Sequence, residues 1–296
     1  MRNMKLSIIT INRNNAEGLR KTMESVFAQS YRDIEYIIVD GASTDGSVEV
    51  IRDFENTIKQ SVTNNQSSIQ LKWLSEPDTG IYNAMNKGVK MAKGEYTLML
   101  NSADTLVNGC VLQNIIPELH TEDIIQGNII VESKGRIFRN HAYGYSDLSF
   151  VDVLDMRFLH QAIFVRRDIV EKYGYYDESY RITSDSYFFI TALGFGNATF
   201  RYVDIDIANF DMHGVSGSNS AEWRRIGDEE RKRWFEEHVS NRLMDFYKTD
   251  PKKIRMYDTL HSHRWAWYIT MLLLRIAEAI SPSPKVTRIE QLTEKP

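Results

Sequence analysis

An α/β fold with a mostly parallel central sheet is what this sequence of 296 residues predicts, and three observations predict it. Short runs rich in β-branched residues read as buried strands. Helical stretches separate them and give a strand about every thirty residues, the rhythm of βαβ units. The strand runs lead into Asn, Asp or Glu, two of them beside glycine-containing turns, so polar groups gather where such sheets bind ligands.

Leu6-Ser7-Ile8-Ile9-Thr10 is the first strand. Asn14, with Glu17 three residues on, has the pattern of a helix capping box, and Leu19, Met23, Val26 and Phe27 follow at helical spacing. Tyr36 to Val39 forms the second strand, and a helix follows the turn Gly41 to Gly46. Residues 55–70, rich in Asn, Gln and Ser, read as a surface loop. Leu71 to Leu74 is a strand, Tyr82 to Lys93 a helix stopped by Gly94, and Glu95 to Leu100 another strand. Beyond residue 120 the rhythm changes. Ile124 to Val131 and Arg136 to Arg139 read as two strands joined at Ser133-Lys134-Gly135. Ile163-Phe164-Val165 reads as a strand, with helices expected near 166–173 and 184–194 and a strand near 199–207. Residues 221–279 are largely helical in pattern, and the tail from Ser281 reads as loose. The expected division is a domain over 1–220, with halves 1–105 and 106–220, followed by a helical extension over 221–296.

Composition narrows the function. Hydrophobic residues make up 42 % and charged residues 26 %, an ordinary globular balance. The net charge of -4 gives no basic footprint, so nucleic acid is not expected as a partner. A single cysteine, Cys110, rules out an internal disulfide or a multi-cysteine zinc site and suits a reducing compartment; it reads as a buried small residue. No secretory signal is visible at the N-terminus. No Gly-x-Gly-x-x-Gly follows the first strand, and no P-loop motif is present.

The strand ends carry Thr10-Ile11-Asn12, Asp40-Gly41, Glu76-Pro77-Asp78-Thr79-Gly80 and Asn101-Ser102-Ala103-Asp104. Carboxylates such as Asp40 and Asp78 can accept a hydrogen bond from a nucleobase imide or a ribose hydroxyl, and Gly41 and Gly80 allow close backbone approach. Each aspartate taken alone reads equally well as a turn cap. Their joint placement on one rim favours a binding site.

The runs Ser7 to Thr10, Val39 to Gly46, Ser75 to Gly88 and Leu100 to Asp104, in this order, resemble family 2 glycosyltransferases of the GT-A fold, in particular bacterial enzymes that build capsule, exopolysaccharide or O-antigen. The resemblance covers roughly residues 5–217. It implies a nucleotide-sugar donor, a UDP-sugar before others, held by Thr10, Asn12, Asp40, Asp78, Gly80 and Ser102, and a glycan or lipid-linked acceptor. It also implies that Asp104 is the last acid of the Asp-x-Asp motif that binds Mg²⁺ or Mn²⁺ across the diphosphate. Ser102 stands where that motif has its first acid, so one carboxylate remains, and a hard cation would draw most of its ligands from phosphate and water. Asp104 also reads as a turn cap.

Glycosyl transfer needs a base for the acceptor hydroxyl. The resemblance implies Asp185, second of an acidic pair whose first member is here Ser184; the same residue reads as the cap of its helix. His160 and Gln161 would border the sugar pocket, and His213, in Asp211 to Gly217, would be a further metal ligand or diphosphate contact; an incidental histidine in a glycine-rich loop explains His213 equally well. Inversion at the anomeric carbon rests on the resemblance alone. Thr10, Asp40, Asp78 and Asp104 are expected to converge on one crevice.

Trp265 to Leu274 is strongly apolar yet shorter than the about 20 residues of a membrane span, and Lys252, Lys253, Arg255 and Arg264 precede it. It reads as a helix packed on the domain or on a second subunit, a route to a homodimer, or as one lying in a membrane interface. The expected location is cytoplasmic, with peripheral contact at the inner membrane face as the second possibility. Two further readings are a non-catalytic nucleotide-sugar-binding or scaffold protein, suggested by Ser102 and Ser184, and a nucleotidyltransferase, which lacks its usual glycine-rich basic loop here.

Overall fold

The structure, a computed structural model, describes residues 5–62, 69–133, 135–155, 157–212 and 221–239, together with positions 269, 272 and 273. The chain divides into two compact units, Met1–Lys232 and Arg233–Pro296, and the sheet and the site lie in the first.

The elements run β1 (Leu6–Asn12), α1 (Ala16–Phe27), β2 (Glu35–Asp40), α2 (Ser47–Val62), β3 (Gln70–Ser75), α3 (Ile81–Met91), β4 (Tyr96–Met99), β5 (Thr105–Leu106), α4 (Val111–Ile115), β6 (Ile124–Ser133), β7 (Arg136–Asn140), α5 (Phe150–Leu154), β8 (Ile163–Arg166), α6 (Arg167–Tyr173), α7 (Ser184–Phe189), β9 (Phe200–Phe210) and α8 (Ala221–His238). Among the described residues they build one sheet in the order β3-β2-β1-β4-β8-β6-β9-β5, with β7 paired to β6. The first four strands are parallel; β8 turns antiparallel between β4 and β6, and β6 and β9 run parallel. All six residues of β2 are buried, as expected of a parallel strand covered on both faces. Leu6, Ile8, Ile38, Leu98 and Phe164 anchor the core between this sheet and the helices around α1.

Four local expectations are corrected. The cap of α1 is Asn15, whose side chain accepts from Gly18 N–H at 3.1 Å; Asn14 sits at φ 50 and its side chain accepts from Thr44 N–H at 2.9 Å. Helix α2 continues through residues 55–62, where a loop was expected, because Phe54 stacks on Phe27 of α1 and carries the helix over its polar end. Cys110 is exposed at the start of α4, since the apolar face of that helix begins at Val111 and Leu112. The expected helix over 184–194 is two pieces: α7, then a π-helical turn over Ile190–Phe195. The apolar run near residue 265 and the tail lie outside the described residues, apart from Ile269, Leu272 and Leu273, which are helical and exposed. No helix among the described residues is long and apolar enough to cross a membrane.

Candidate active site

A cavity of about 750 Å³ opens at the carboxyl ends of the parallel strands. Its walls bring together Asn12, Asp78, Gly80, Ser102, Asp104, His160, Gln161 and Asp185 from the expected set, and add Arg13, Tyr82, Asn101 and Asp211. His213 lies outside the described residues.

Thr10 and Asp40 do not line it. Side chains on one face of a strand recur every second residue, so Thr10 lies about 6–7 Å deeper than Asn12 on β1. There its hydroxyl donates to the Leu100 carbonyl at 2.7 Å and pairs with the Tyr36 hydroxyl. Asp40 is buried by register. Asn12 and Ser75 stand opposite it on the two flanking strands, and both donate to it, at 2.9 and 2.6 Å. Ser43 adds its N–H and hydroxyl at 2.9 and 2.6 Å. Burial pushes the Asp40 carboxyl up, but these donors outweigh it and hold it below its ordinary value. Asp40 therefore organises the rim rather than presenting free lone pairs to a ligand.

Asp78 reaches the rim from the β3–α3 loop. Its carboxylate pairs with Arg13 at 3.5 Å and accepts from Gly80 N–H at 3.2 Å. It rests against Gly41, where an added Cβ would overlap Asp78 Oδ2. Gly80 has φ 149, in the region that favours glycine, and opens α3 toward the cavity. Ala103 holds φ 84 between Ser102 and Asp104, a conformation that costs a non-glycine residue on the order of 1–3 kcal/mol. Thr22 braces it, accepting from Ala103 N–H at 2.9 Å and donating to the Asp104 carbonyl at 2.8 Å.

Asp104 is almost wholly buried; its Oδ1 accepts from Asp211 N–H at 2.9 Å, and Gln161 also donates to it. Burial still pushes its carboxyl up to about 7. The side-chain oxygens of Asn12 and Asn101 are buried on the same wall and make no hydrogen bond among the described residues. The wall thus offers hard oxygen donors and a carboxylate short of positive charge, the chemistry a hard divalent cation seeks. No group of three or more His, Cys, Asp or Glu side chains forms a ready cage among the described residues.

Asp185, in the first turn of α7, lines the same cavity. Tyr82 donates to its Oδ1 at 2.8 Å, and His160 Nδ1 lies 3.2 Å from its Oδ2. The other ring nitrogen of His160 meets Asn101 at 3.2 Å, so a chain of polar contacts runs from the Asn101–Asp104 turn to Asp185. Burial would raise the Asp185 carboxyl, but His160, Tyr82 and the Ser186 N–H hold it below its ordinary value. Burial would lower the His160 imidazole, but Asp185 and then Asp104 raise it above its own. Asp185 is thus a half-buried carboxylate, held low enough to stay ionised, that lines the cavity as a proton acceptor. Tyr82 sits where α3 turns its first residues to the cavity; its place after Gly80-Ile81 was the available signal in the sequence.

A mixed sheet whose parallel half ends in such a rim defines a GT-A-type glycosyltransferase. The glycosyl transferase family 2 model matches residues 7–177, more than half of the chain, and the chain belongs to that family. An uncharacterized glycosyltransferase of Mycobacterium tuberculosis is 30 % identical over 77 % of this chain and 84 % of its own length. A PGL/p-HBAD biosynthesis glycosyltransferase of the same organism is 29 % identical over 70 % of this chain and 77 % of its own. Among solved structures, S. aureus TarS 1-349 in complex with UDP-GlcNAc shares the fold with a TM-score of 0.59 at 18 % identity, covering 75 % of this chain and 64 % of that one. Mannosyltransferase PcManGT from Pyrobaculum calidifontis, in complex with GDP-Man and Mn2+, gives 0.51 at 14 % identity, covering 92 % and 88 %.

Proposed function

We propose that this glycosyltransferase moves a hexosyl group from a nucleotide sugar, a UDP-sugar first, to a glycan or lipid-linked glycan in the assembly of cell-surface polysaccharide, with inversion at the anomeric carbon. The observation that carries the reading is Asp185, held by Tyr82 and His160 in the same cavity that Asn101, Ser102 and Asp104 line. The neighbours' UDP-GlcNAc and GDP-Man support a donor of this kind.

Asp78, Arg13 and Asn12 would hold the nucleoside at the rim. Asp104, with Ser102, Asn101 and Asp211 beside it, would hold Mg²⁺ or Mn²⁺ against the diphosphate, where such an ion neutralises the charge that develops on the leaving group. His213, outside the described residues, would be a further ligand of the ion or a contact of the diphosphate. Asp185 accepts the proton of the acceptor hydroxyl as that oxygen attacks the anomeric carbon and the bond to the diphosphate breaks. His160 keeps Asp185 aimed and ionised, and Gln161 holds Asp104. The protein would work in the cytoplasm or at the inner membrane face, with the C-terminal residues as the membrane or dimer contact.

The test is a screen of nucleotide sugars, UDP-GlcNAc and GDP-Man among them, for calorimetric binding and for release of nucleoside diphosphate with Mn²⁺. Wild type should bind and slowly hydrolyse or transfer one of them, and Asp185→Ala should bind it as tightly and release nothing. Binding without release by the wild type, whatever the acceptor, would make this a sugar-nucleotide scaffold. Consumption of nucleoside triphosphate would make it a nucleotidyltransferase.

A further inference from the structure

Helix α7 begins without a cap of its own. Thr183 stands at the capping position, yet its hydroxyl makes no capping bond to a backbone N–H of the helix. It donates instead to Glu230 Oε2 of α8, at 2.6 Å. The same carboxylate accepts from Arg181 N–H at 2.5 Å and from Ile182 N–H at 3.2 Å. Glu230 is 8 % exposed, so three donors of the loop entering α7 converge on one nearly buried acid. The rest of that face of α8 agrees. The Arg181 guanidinium lies 4.9 Å from the Trp223 ring centroid, and the Ile182 side chain closes on Gly227. Positions 223, 227 and 230 recur at the spacing of a single helix face.

We propose that Glu230 is a positioning residue for the reaction, holding the 181–183 loop so that Asp185 meets Tyr82 and His160 at the cavity; the proposal rests on Asp185 being the base. Ser184 contributes no acid to this loop, and the carboxylate that organises it comes from a helix some forty-five residues on. Both Asp185 and Glu230 lie beyond the 7–177 segment that the family model matches. The catalytic apparatus therefore extends into α8. The first three turns of that helix serve the site through the loop they hold.

The reach of Asp185 is set by where α7 starts. A misplacement of about 1 Å can cost on the order of 100-fold in rate while leaving binding intact. In the full chain, Glu230→Ala should lower kcat roughly 10- to 100-fold, with the Kd for the nucleoside diphosphate in the presence of Mn²⁺ within about twofold of wild type. Glu230→Gln, which keeps one acceptor oxygen, should recover part of the loss. Placed on Asp185→Asn, the Glu230→Ala change should cost nothing further, because it acts through the group already removed. Thr183→Val, which deletes one of the three bonds, gives a milder variant if Glu230→Ala folds poorly, and should lower kcat a few-fold with binding unchanged. A kcat within twofold of wild type in Glu230→Ala or Thr183→Val overturns the proposal. So do parallel losses of binding, kcat and thermal midpoint, which mark a merely structural contact. A wild type that binds nucleotide sugar and never releases diphosphate overturns the reading of Asp185 itself, and this proposal with it.

Discussion

The Tyr82 hydroxyl donates a 2.8 Å hydrogen bond to Oδ1 of Asp185, 103 residues further along the chain. Tyr82 is nearly buried, and burial followed by the Asp185 charge raises its phenol well above the ordinary value, so it remains a donor at any working pH. A hydrogen bond to a charged group contributes about 1.5–3 kcal/mol. Tyr82→Phe removes a bond that holds the Asp185 carboxyl low. The base should then require a higher pH to ionise, moving the acid limb of the pH–kcat profile upward while the neutral plateau, where the carboxyl is ionised in both proteins, changes much less. An acid limb at the wild-type position would separate Tyr82 from the base.

Gly41 and Asp78 make a steric pair. A methyl group at position 41 would occupy the space of Asp78 Oδ2 and approach the Arg13 side chain. Gly41→Ala should therefore expel Asp78 from the rim and weaken nucleoside diphosphate binding about tenfold, about 1.4 kcal/mol. Asp78→Ala removes the atom in the way, so the double variant should bind no worse than Asp78→Ala alone. Additive losses would show that Gly41 matters for its backbone and not for the space it leaves.

The parallel half of the sheet was legible because its signal is local: short apolar runs, most with β-branched residues, each followed by Asn, Asp or Glu. The polar rim was legible for the same reason, through Asn12, Asp78 and Asp104. What the sequence could not separate was depth. Thr10 and Asn12 look alike in a motif, yet one pleat puts the first beneath the floor and the second on the wall. Asp40 looks like a ligand until register shows Asn12 and Ser75 occupying its oxygens. Tyr82 had only its place after Gly80-Ile81 as a signal and Glu230 had none, because their partners are 103 and 47–49 residues away and no short-range pattern announces such a pairing.

Stability should track the buried acids under the sheet. Asp40 is held below its ordinary value by Ser43, Ser75 and Asn12 against the cost of burial. Glu35 is lowered likewise, by Lys72, Ser7 and the Lys93 N–H. A carboxyl whose folded value lies below its unfolded value of about 4 stabilises fully above the unfolded value and loses that contribution as pH falls through the folded one. These two carboxyls should therefore pull the thermal midpoint down below about pH 4, while Asp104, raised to about 7, should lower it as pH rises from about 4 toward 7. Asp40→Asn, which puts an amide where donors converge, should cost about 1–3 kcal/mol at pH 7. Its deficit should shrink as the wild type is acidified. A deficit independent of pH would mean that packing, not charge, explains the loss.

The Asp104 wall decides the metal question. One buried carboxylate, an unpaired Asn101 oxygen and the neighbouring Ser102 and Asp211 make an incomplete cage, so an ion there depends on phosphate oxygens for its remaining ligands. Binding of Mn²⁺ and of a nucleoside diphosphate should then be mutually strengthening, each tightening the other by the same factor. Calorimetry should give weak or undetectable Mn²⁺ binding alone and UDP binding that tightens about tenfold with Mn²⁺, a coupling of about 1.4 kcal/mol. Asp104→Ala should erase that increment while leaving the metal-free affinity for UDP within twofold, because on the proposed reading Asp78, Arg13 and Asn12 would hold the nucleoside elsewhere on the rim. Chelation with EDTA should reduce the wild type to the level of the variant. If UDP binds equally with and without Mn²⁺, the diphosphate is neutralised by side chains instead, and Arg13 becomes the next residue to remove.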